Sequence, residues 1–198
     1  MCAHCGSPAI HSCARCLRGL DIVGSNCLPT YYCDDLCQAA HKPKHREACN
    51  VACERRQLLR AGDLVQALFN AYRHAVFDVP IRRVKTDAER SLHVYVGPVP
   101  PGQILLSFPN DDFKGDNGKK ALLAWSSRFH GAGHMQNLLR QALKGIDDIE
   151  DIFIKPRHNA HQIVYHNGNG EIDADDQNLS HLVHRVTIGG VRYALDLA

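Results

Sequence analysis

The amino-acid sequence has no hydrophobic run long enough to cross a membrane. None of its apolar stretches approaches the ~20 residues that a transmembrane helix requires, so we expect no membrane partner. Net charge is also small, because 23 Lys and Arg are balanced by 21 Asp and Glu. Cysteine is absent after Cys53, which leaves the second half of the chain without a thiol nucleophile. These absences argue against a membrane protein, a polycationic nucleic-acid binder and a cysteine-dependent enzyme.

What the chain does contain is a dense group of cysteines in its first quarter. Seven cysteines and one histidine follow the spacing C-x2-C-x7-C-x2-C-x16-C-x3-C-x7-H-x3-C. Zn2+ takes four thiolate or imidazole ligands, and a C-x2-C turn presents two sulfurs to one ion. The sequence therefore predicts two Zn2+ ions held by Cys2, Cys5, Cys13, Cys16, Cys33, Cys37, His45 and Cys49.

Two alternatives accompany this ligand set. His41 lies one helical turn before His45 and is a rival ligand, because both would lie on one helix face. A set of nine cysteines is also typical of a small secreted domain stapled by disulfides. An odd count fits full pairing poorly, and Cys2 directly after Met1 leaves no space for a signal peptide. We therefore expect a reducing compartment, the cytoplasm or the nucleus.

Charge near these cysteines does not predict a nucleic-acid site. Residues 1–60 contain eight Lys or Arg and five Asp or Glu, and seven thiolates with two Zn2+ ions would bring their sum to about zero. Residues 61–198 contain fifteen basic and sixteen acidic side chains. We interpret the local basic stripe as the solvated face of a helix and expect no nucleic-acid partner. The stripe consists of Lys42, Lys44, Arg46, Arg55, Arg56 and Arg60.

The segment YYCDDLCQAAHKPKHREAC, residues 31–49, together with the ligand spacing resembles the MYND-type zinc finger. The resemblance implies two interleaved metal sites, one formed by the first and third ligand pairs and the other by the second and fourth. By position these sites are Cys2, Cys5, Cys33 and Cys37, and Cys13, Cys16, His45 and Cys49. It also implies a protein-interaction adaptor that docks proline-containing peptides beside Gln38.

Two features depart from this family. The stretch between Cys16 and Cys33 is longer than the family leads us to expect and contains the additional Cys27, so we expect an extended, hairpin-like loop there. Where the family usually has Trp, Lys42 follows His41. The resemblance therefore places Gln38 and Lys42 at the partner-binding surface, with a changed side chain at the second position. Cys27 and Cys53 lie outside the ligand pattern, and we expect them to be small, half-buried thiols.

The pattern along the chain predicts an α+β protein in three parts. A zinc finger at 1–50 is followed by a helical connector at 51–79 and an α+β domain at 80–198 with a mainly antiparallel sheet. The connector is one helix or two, since Gly62 and Asp63 could divide it. Further helices are expected near 117–128 and 134–145, covering one face of the sheet. Strands are expected at 81–86, 91–99, 103–108, 150–156, 161–167, 181–188 and 191–197, with Gly189 and Gly190 forming a hairpin turn.

The second half contains one weak catalytic motif. His184 and Asp196 on the terminal hairpin resemble the paired strands of papain-like and transglutaminase-like hydrolases, and nothing marks Ser126 or Ser127 as an activated nucleophile. Histidine pairs at 130/134, 158/161 and 181/184 would bind a metal only if they converged. The acidic run 173–176 lacks the Gly and Glu of a calcium loop. We expect a non-enzymatic adaptor, with a degenerate hydrolase domain as the alternative.

Overall fold

The computed structural model describes residues 1–17, 29–87, 91–113, 115–126, 130–146, 148–155, 163–167, 169–170, 172–174 and 181–197. The predicted loop after Cys16, with Cys27, lies mostly outside these residues. The chain divides into two compact units. Unit 1 contains Met1–Leu64, Leu138–Ile149 and Arg185–Tyr193, and unit 2 contains Val65–Asn137, Glu150–His184 and Ala194–Ala198.

A single long helix, α1 (Asp35–Ala75), dominates the first half. Its first turn is capped by Asp34, whose carboxylate accepts a hydrogen bond from the backbone N–H of Cys37 at 2.7 Å. The helix therefore begins inside the predicted finger rather than near residue 52. Gly62 and Asp63 lie within it without dividing it, so the one-helix alternative is correct. Buried apolar residues with helical spacing hold it: Leu58, Ala61, Val65 and Phe69.

The finger segment before α1 contains a two-residue ladder. Strand β1 (His11–Ser12) pairs antiparallel with β2 (Tyr31–Tyr32). Around it, the backbone N–H groups of Cys2 and Cys13 donate to the carbonyls of Ser7 and Thr30 at 2.7 and 2.9 Å. These short hydrogen bonds give local order to a segment that has little apolar core of its own.

Unit 2 contains a four-stranded sheet whose order is β3-β4-β6-β7. Its strands are β3 (Ile81–Thr86), β4 (Leu92–Val96), β6 (Ile163–His166) and β7 (Ile172–Ala174). The first and last pairs are antiparallel and the central pair, β4 with β6, is parallel. Helix α2 (Asp116–Trp125) contributes Leu122 and Leu123 to the core formed with this sheet, which is the packing that the sequence predicted for both helices of this region.

The remaining strands form a three-stranded sheet, ordered β5-β8-β9. Its members are β5 (Ile149–Ile154), β8 (His181–Ile188) and β9 (Val191–Leu195). Gly189 and Gly190 form the predicted turn with φ of +56° and +76°, a region that favours glycine. A Cβ at Gly189 would also lie 2.9 Å from the Val51 side chain, so the turn requires glycine for space as well.

The α+β class and the mainly antiparallel pairing are therefore confirmed, but strand β7 (Ile172–Ala174) was not predicted and one predicted strand is wrong. Residues 103–108 are not a strand: Ile104 and Leu105 are 86% and 56% exposed, and only Phe108 is buried in the core. Prolines on both sides of this segment restrict its backbone and remove hydrogen-bond donors. Helix α3 (His130–Ala142) begins one turn before its predicted start. None of the described helices is long and apolar enough to cross a membrane.

Candidate metal centres

The eight predicted ligands lie in two groups of four. The ligand atoms of Cys2, Cys5, Cys33 and Cys37 all lie within 4.8 Å of one another, and so do those of Cys13, Cys16, His45 and Cys49. This is the interleaved grouping that the family resemblance implies. Turns after Cys2 and Cys13 supply four of the donors, the start of α1 supplies three, and Cys33 follows β2 directly.

Distances between the donor atoms match a tetrahedral zinc site. Zinc–sulfur bonds of about 2.3 Å at tetrahedral angles separate two sulfurs by roughly 3.8 Å. The Sγ atoms of Cys5 and Cys33 are 3.6 Å apart, and those of Cys13 and Cys49 are 3.8 Å apart. Both distances are far beyond the ~2.05 Å of a disulfide, which argues against the disulfide-bonded alternative. A four-sulfur and a three-sulfur, one-nitrogen donor set are both common structural zinc sites.

His45 rather than His41 belongs to the second cluster. His45 is buried, and its Nε2 lies 3.5 Å from Cys16 Sγ. Its Nδ1 lies 3.3 Å from the Thr30 hydroxyl, which can accept the ring proton and leave the Nε2 lone pair for a metal. His41 instead places its Nδ1 3.1 Å from the hydroxyl of Tyr32. Tyr32 is fully buried, so this contact fixes the rival histidine outside the donor set.

The first cluster shows how strongly neighbouring thiols oppose one another's ionisation. Hydrogen bonds from backbone N–H groups, chiefly that of Cys5, lower the pKa of Cys2 to about 6. A hydrogen bond from Cys37 lowers the pKa of Cys33, but burial and the Cys5 and Cys2 thiols outweigh it and raise this pKa to about 11. The hydrogen bond that the Cys37 thiol donates to Cys33, together with burial, raises the pKa of Cys37. The pKa of Cys5 is also lowered, chiefly by hydrogen bonds with Ser7. Two thiols of the cluster therefore ionise readily, whereas Cys33 and Cys37 are hard to ionise beside them.

The second cluster has the same imbalance. Burial and then the Cys13 thiol raise the pKa of Cys49 to about 12, and burial raises the pKa of Cys16. Burial and the charge of His41 lower the pKa of His45, which favours the neutral ring that a metal requires. A divalent cation among these donors would compensate the charge of several thiolates at once. The clusters could thus each bind one metal ion, and their chemistry is compatible with two zinc ions.

The predicted partner-binding residues line a cavity next to the second cluster. This cavity of about 980 Å3 is bordered by Gln38 and Lys42 on α1 and by the cluster residues Cys13, His45 and Cys49. Gln38 and Lys42 are four positions apart and lie on one helix face with Arg46. The structure therefore brings both predicted residues to one concave surface.

His184 and Asp196 are each held by a different partner. His184 Nδ1 lies 2.7 Å from Asp151 Oδ1, and His181 Nε2 lies 2.7 Å from Asp196 Oδ1. The two histidines do not converge, because residues three apart on a strand point to opposite faces. His184 is fully buried, and its Nε2 has no hydrogen-bond partner among the described residues.

Sequence reasoning missed a different histidine pair. His93 Nδ1 and His166 Nε2 lie 3.0 Å apart on neighbouring strands β4 and β6, and His93 Nε2 lies 3.2 Å from Asp87. No local spacing could have revealed this pair, because it depends on the parallel pairing of two distant strands. Residues 158 and 161 lie outside the described part of the chain, as does the end of the acidic run.

We predict that purified protein contains about two zinc atoms per chain. Cys16→Ser should lower this to about one, because it removes one donor from the second cluster only. Cys53→Ser is the matched control: Cys53 lies on the same helix outside both clusters, with its thiol 3.3 Å from the Arg15 carbonyl. Elemental analysis by mass spectrometry measures the ratio. An unchanged zinc content in Cys16→Ser would contradict the assignment.

We also predict that zinc binding to metal-free protein releases protons. Four thiols, Cys16, Cys33, Cys37 and Cys49, have raised pKa values and hold protons at neutral pH, so zinc must displace about four or more per chain. Zinc affinity should consequently rise with pH. A pH-indicator titration in weak buffer counts the protons, with Cys53→Ser releasing the same number. Release near zero would show that these sulfurs do not bind the metal.

Comparison with protein-family models, with curated proteins and with solved structures gives no match to this chain. The two donor clusters are consistent with a zinc finger.

Proposed function

We propose that the chain is a zinc-binding protein–protein interaction adaptor in which a MYND-type finger at residues 1–50 recruits partners. The observation that supports this most is the cavity beside the second donor cluster. Gln38 and Lys42 line it together with the cluster residues Cys13 and Cys49. A metal in that cluster would rigidify the wall, and a rigid wall lowers the entropic cost of docking a peptide.

The chemistry of the cavity suits an extended peptide that contains proline. Gln38 carries an amide that can both donate to and accept from a peptide backbone. Pro43 lies inside α1 and lacks an N–H, so the Ala39 carbonyl is without its usual helical hydrogen bond. Ala39 and Pro43 both line the cavity and give it apolar surface. Proline-containing segments enter such sites with little loss of conformational entropy.

Lys42 modifies this surface. A tryptophan at this position would offer a large apolar face to proline rings, whereas Lys42 is exposed and contributes a charge. Arg15 and Arg46 also border the cavity, and Asp35 is the one acidic residue in its described lining. We therefore expect a docked peptide to make less apolar contact here than it would with a tryptophan at position 42. We also expect partners without positive charge near the docked segment to be favoured.

We predict that a library of proline-containing peptides yields binders whose affinity depends on Gln38. Gln38→Ala should weaken binding by about fivefold, the loss of one hydrogen bond, and Lys42→Trp should strengthen it by adding apolar contact. Fluorescence anisotropy of labelled peptides measures both changes. Lys44→Ala is the control, because Lys44 is exposed on α1 and does not line the cavity. The absence of binders to both wild type and Lys42→Trp would refute peptide docking.

We propose no catalytic role for residues 80–198. The hydrolase alternative requires a nucleophile, and the chain has no cysteine after Cys53. The Asp151–His184 pair has the arrangement of a general base, but its histidine is fully buried. Esterase or amidase activity that disappears in His184→Ala would favour the alternative. In the adaptor that we propose, residues 80–198 serve as a scaffold or a further binding surface.

A further inference from the structure

A second cavity in unit 1 is lined by three arginines and has no acidic residue in its described lining. Its volume is about 530 Å3, and Arg15, Arg56 and Arg60 contribute to it. Arg15 lies in the turn between Cys13 and Cys16, whereas Arg56 and Arg60 are four positions apart on α1. We call this the arginine cavity. Three arginines that line one concave surface create a positive potential there.

Contacts around Cys53 hold the cavity walls in place. The Cys53 thiol donates to the Arg15 carbonyl at 3.3 Å, which ties the finger turn to α1, and Arg56 Nη2 lies 4.0 Å from the same sulfur. On the other side, Gln57 Nε2 donates to the Ala142 carbonyl at 2.9 Å. Two of the three arginines are thus brought together by contacts to one side chain.

None of the three arginines has a carboxylate partner among the described residues. Arg73 pairs with Asp78 at 3.1 Å, and Arg55 is buried with its guanidinium 5.9 Å from the ring centre of Tyr193. Within the part of the chain that the structure describes, Arg15, Arg56 and Arg60 make no ion pair. Guanidinium groups are strong ligands for oxyanions, so an unpaired set of three is a candidate anion site.

We propose that the arginine cavity binds a phosphate monoester on a partner protein, for example a phosphorylated serine. This proposal rests on the adaptor function and specifies the partner of the same finger. A phosphate monoester carries a charge of about −1.5 to −2 and three acceptor oxygens, which matches three arginines better than a carboxylate with one charge and two oxygens. The basic stripe on α1, predicted to be a solvated helix face, contributes to two cavities. Arg56 and Arg60 line the arginine cavity, and Lys42 and Arg46 line the cavity beside the second donor cluster.

The two cavities are neighbours on one surface. Arg15 lines both, and their α1 residues follow one helical stripe at spacings of three or four. The stripe passes through Gln38, Lys42, Arg46, Asn50, Cys53, Gln57, Arg60 and Leu64. A single extended segment can therefore contact Gln38 with one part and place its phosphate at the arginines with another.

The experiment uses zinc-loaded full chain and three fluorescein-labelled peptide pools. All pools contain proline and degenerate flanks, and their central residue is phosphoserine, serine or glutamate. We expect the phosphoserine pool to bind about tenfold more tightly than the serine pool, since charge-assisted hydrogen bonds are the strong ones. Arg56→Gln/Arg60→Gln should remove this difference, and Arg60→Glu should reduce it. Lys44→Gln is the matched charge control and should keep it. Equal zinc content in all variants confirms that they fold.

Several outcomes overturn the arginine site. These are equal binding of the phosphoserine and serine pools, equal binding of the glutamate and phosphoserine pools, and a loss in Lys44→Gln as large as in the double variant. If duplex DNA competes as effectively as the phosphoserine pool, the cavity recognises a phosphodiester backbone instead, and the proposal is refuted. Competition by inorganic phosphate alone, without preference for the phosphopeptide, would indicate an adventitious ion only.

Failure of this site and failure of the adaptor function give different results. If Gln38→Ala weakens all pools equally but phosphorylation has no effect, the peptide cavity stands and the arginine site is refuted. If phosphorylation matters but Gln38→Ala changes nothing, the arginine site stands and docking beside Gln38 is refuted.

Discussion

The amino-terminal region is organised by closely spaced sulfur donors, which repel one another when they are ionised. Four donor atoms within 4.8 Å of one another cannot all become anionic unless a cation lies among them. The opposed pKa values of Cys2 and Cys33, about 6 and about 11, express this constraint directly. A segment of about fifty residues buries little apolar surface and is only marginally stable by itself, so metal binding would add free energy of folding.

Helix α1 connects the donor clusters to the proposed binding surfaces. Its first turns carry Cys37, His45 and Cys49, and its adjacent face carries most of the described lining residues of both cavities. Because three of the donors and the proposed binding residues share one helix, a metal bound to those donors would also fix the positions of Gln38 and Arg56. The Asp34 cap sets where the helix begins and therefore the register of every residue on it.

Unit 2 follows a different principle, since its stability comes from an apolar core. Val94, Leu122 and Ile163 meet between the four-stranded sheet and α2 without any sulfur ligand. The polar pairs on its strands, such as Asp151 with His184, show that this unit also buries ionisable groups. Nothing in that arrangement requires catalysis, because a buried histidine bound to a carboxylate also stabilises a fold.

The sequence by itself determined the candidate metal donors, the α+β class, the strands at 81–86 and 181–188 and the glycine turn, because each depends on local spacing or periodicity. It misplaced a strand at 103–108, where an apolar run has flanking prolines, and it could not locate the start of α1. Only the tertiary structure decided that His45 and not His41 completes the second cluster, that Asp151 holds His184, and that Arg15 joins Arg56 and Arg60. These outcomes depend on contacts between residues far apart in the chain, which local patterns do not encode.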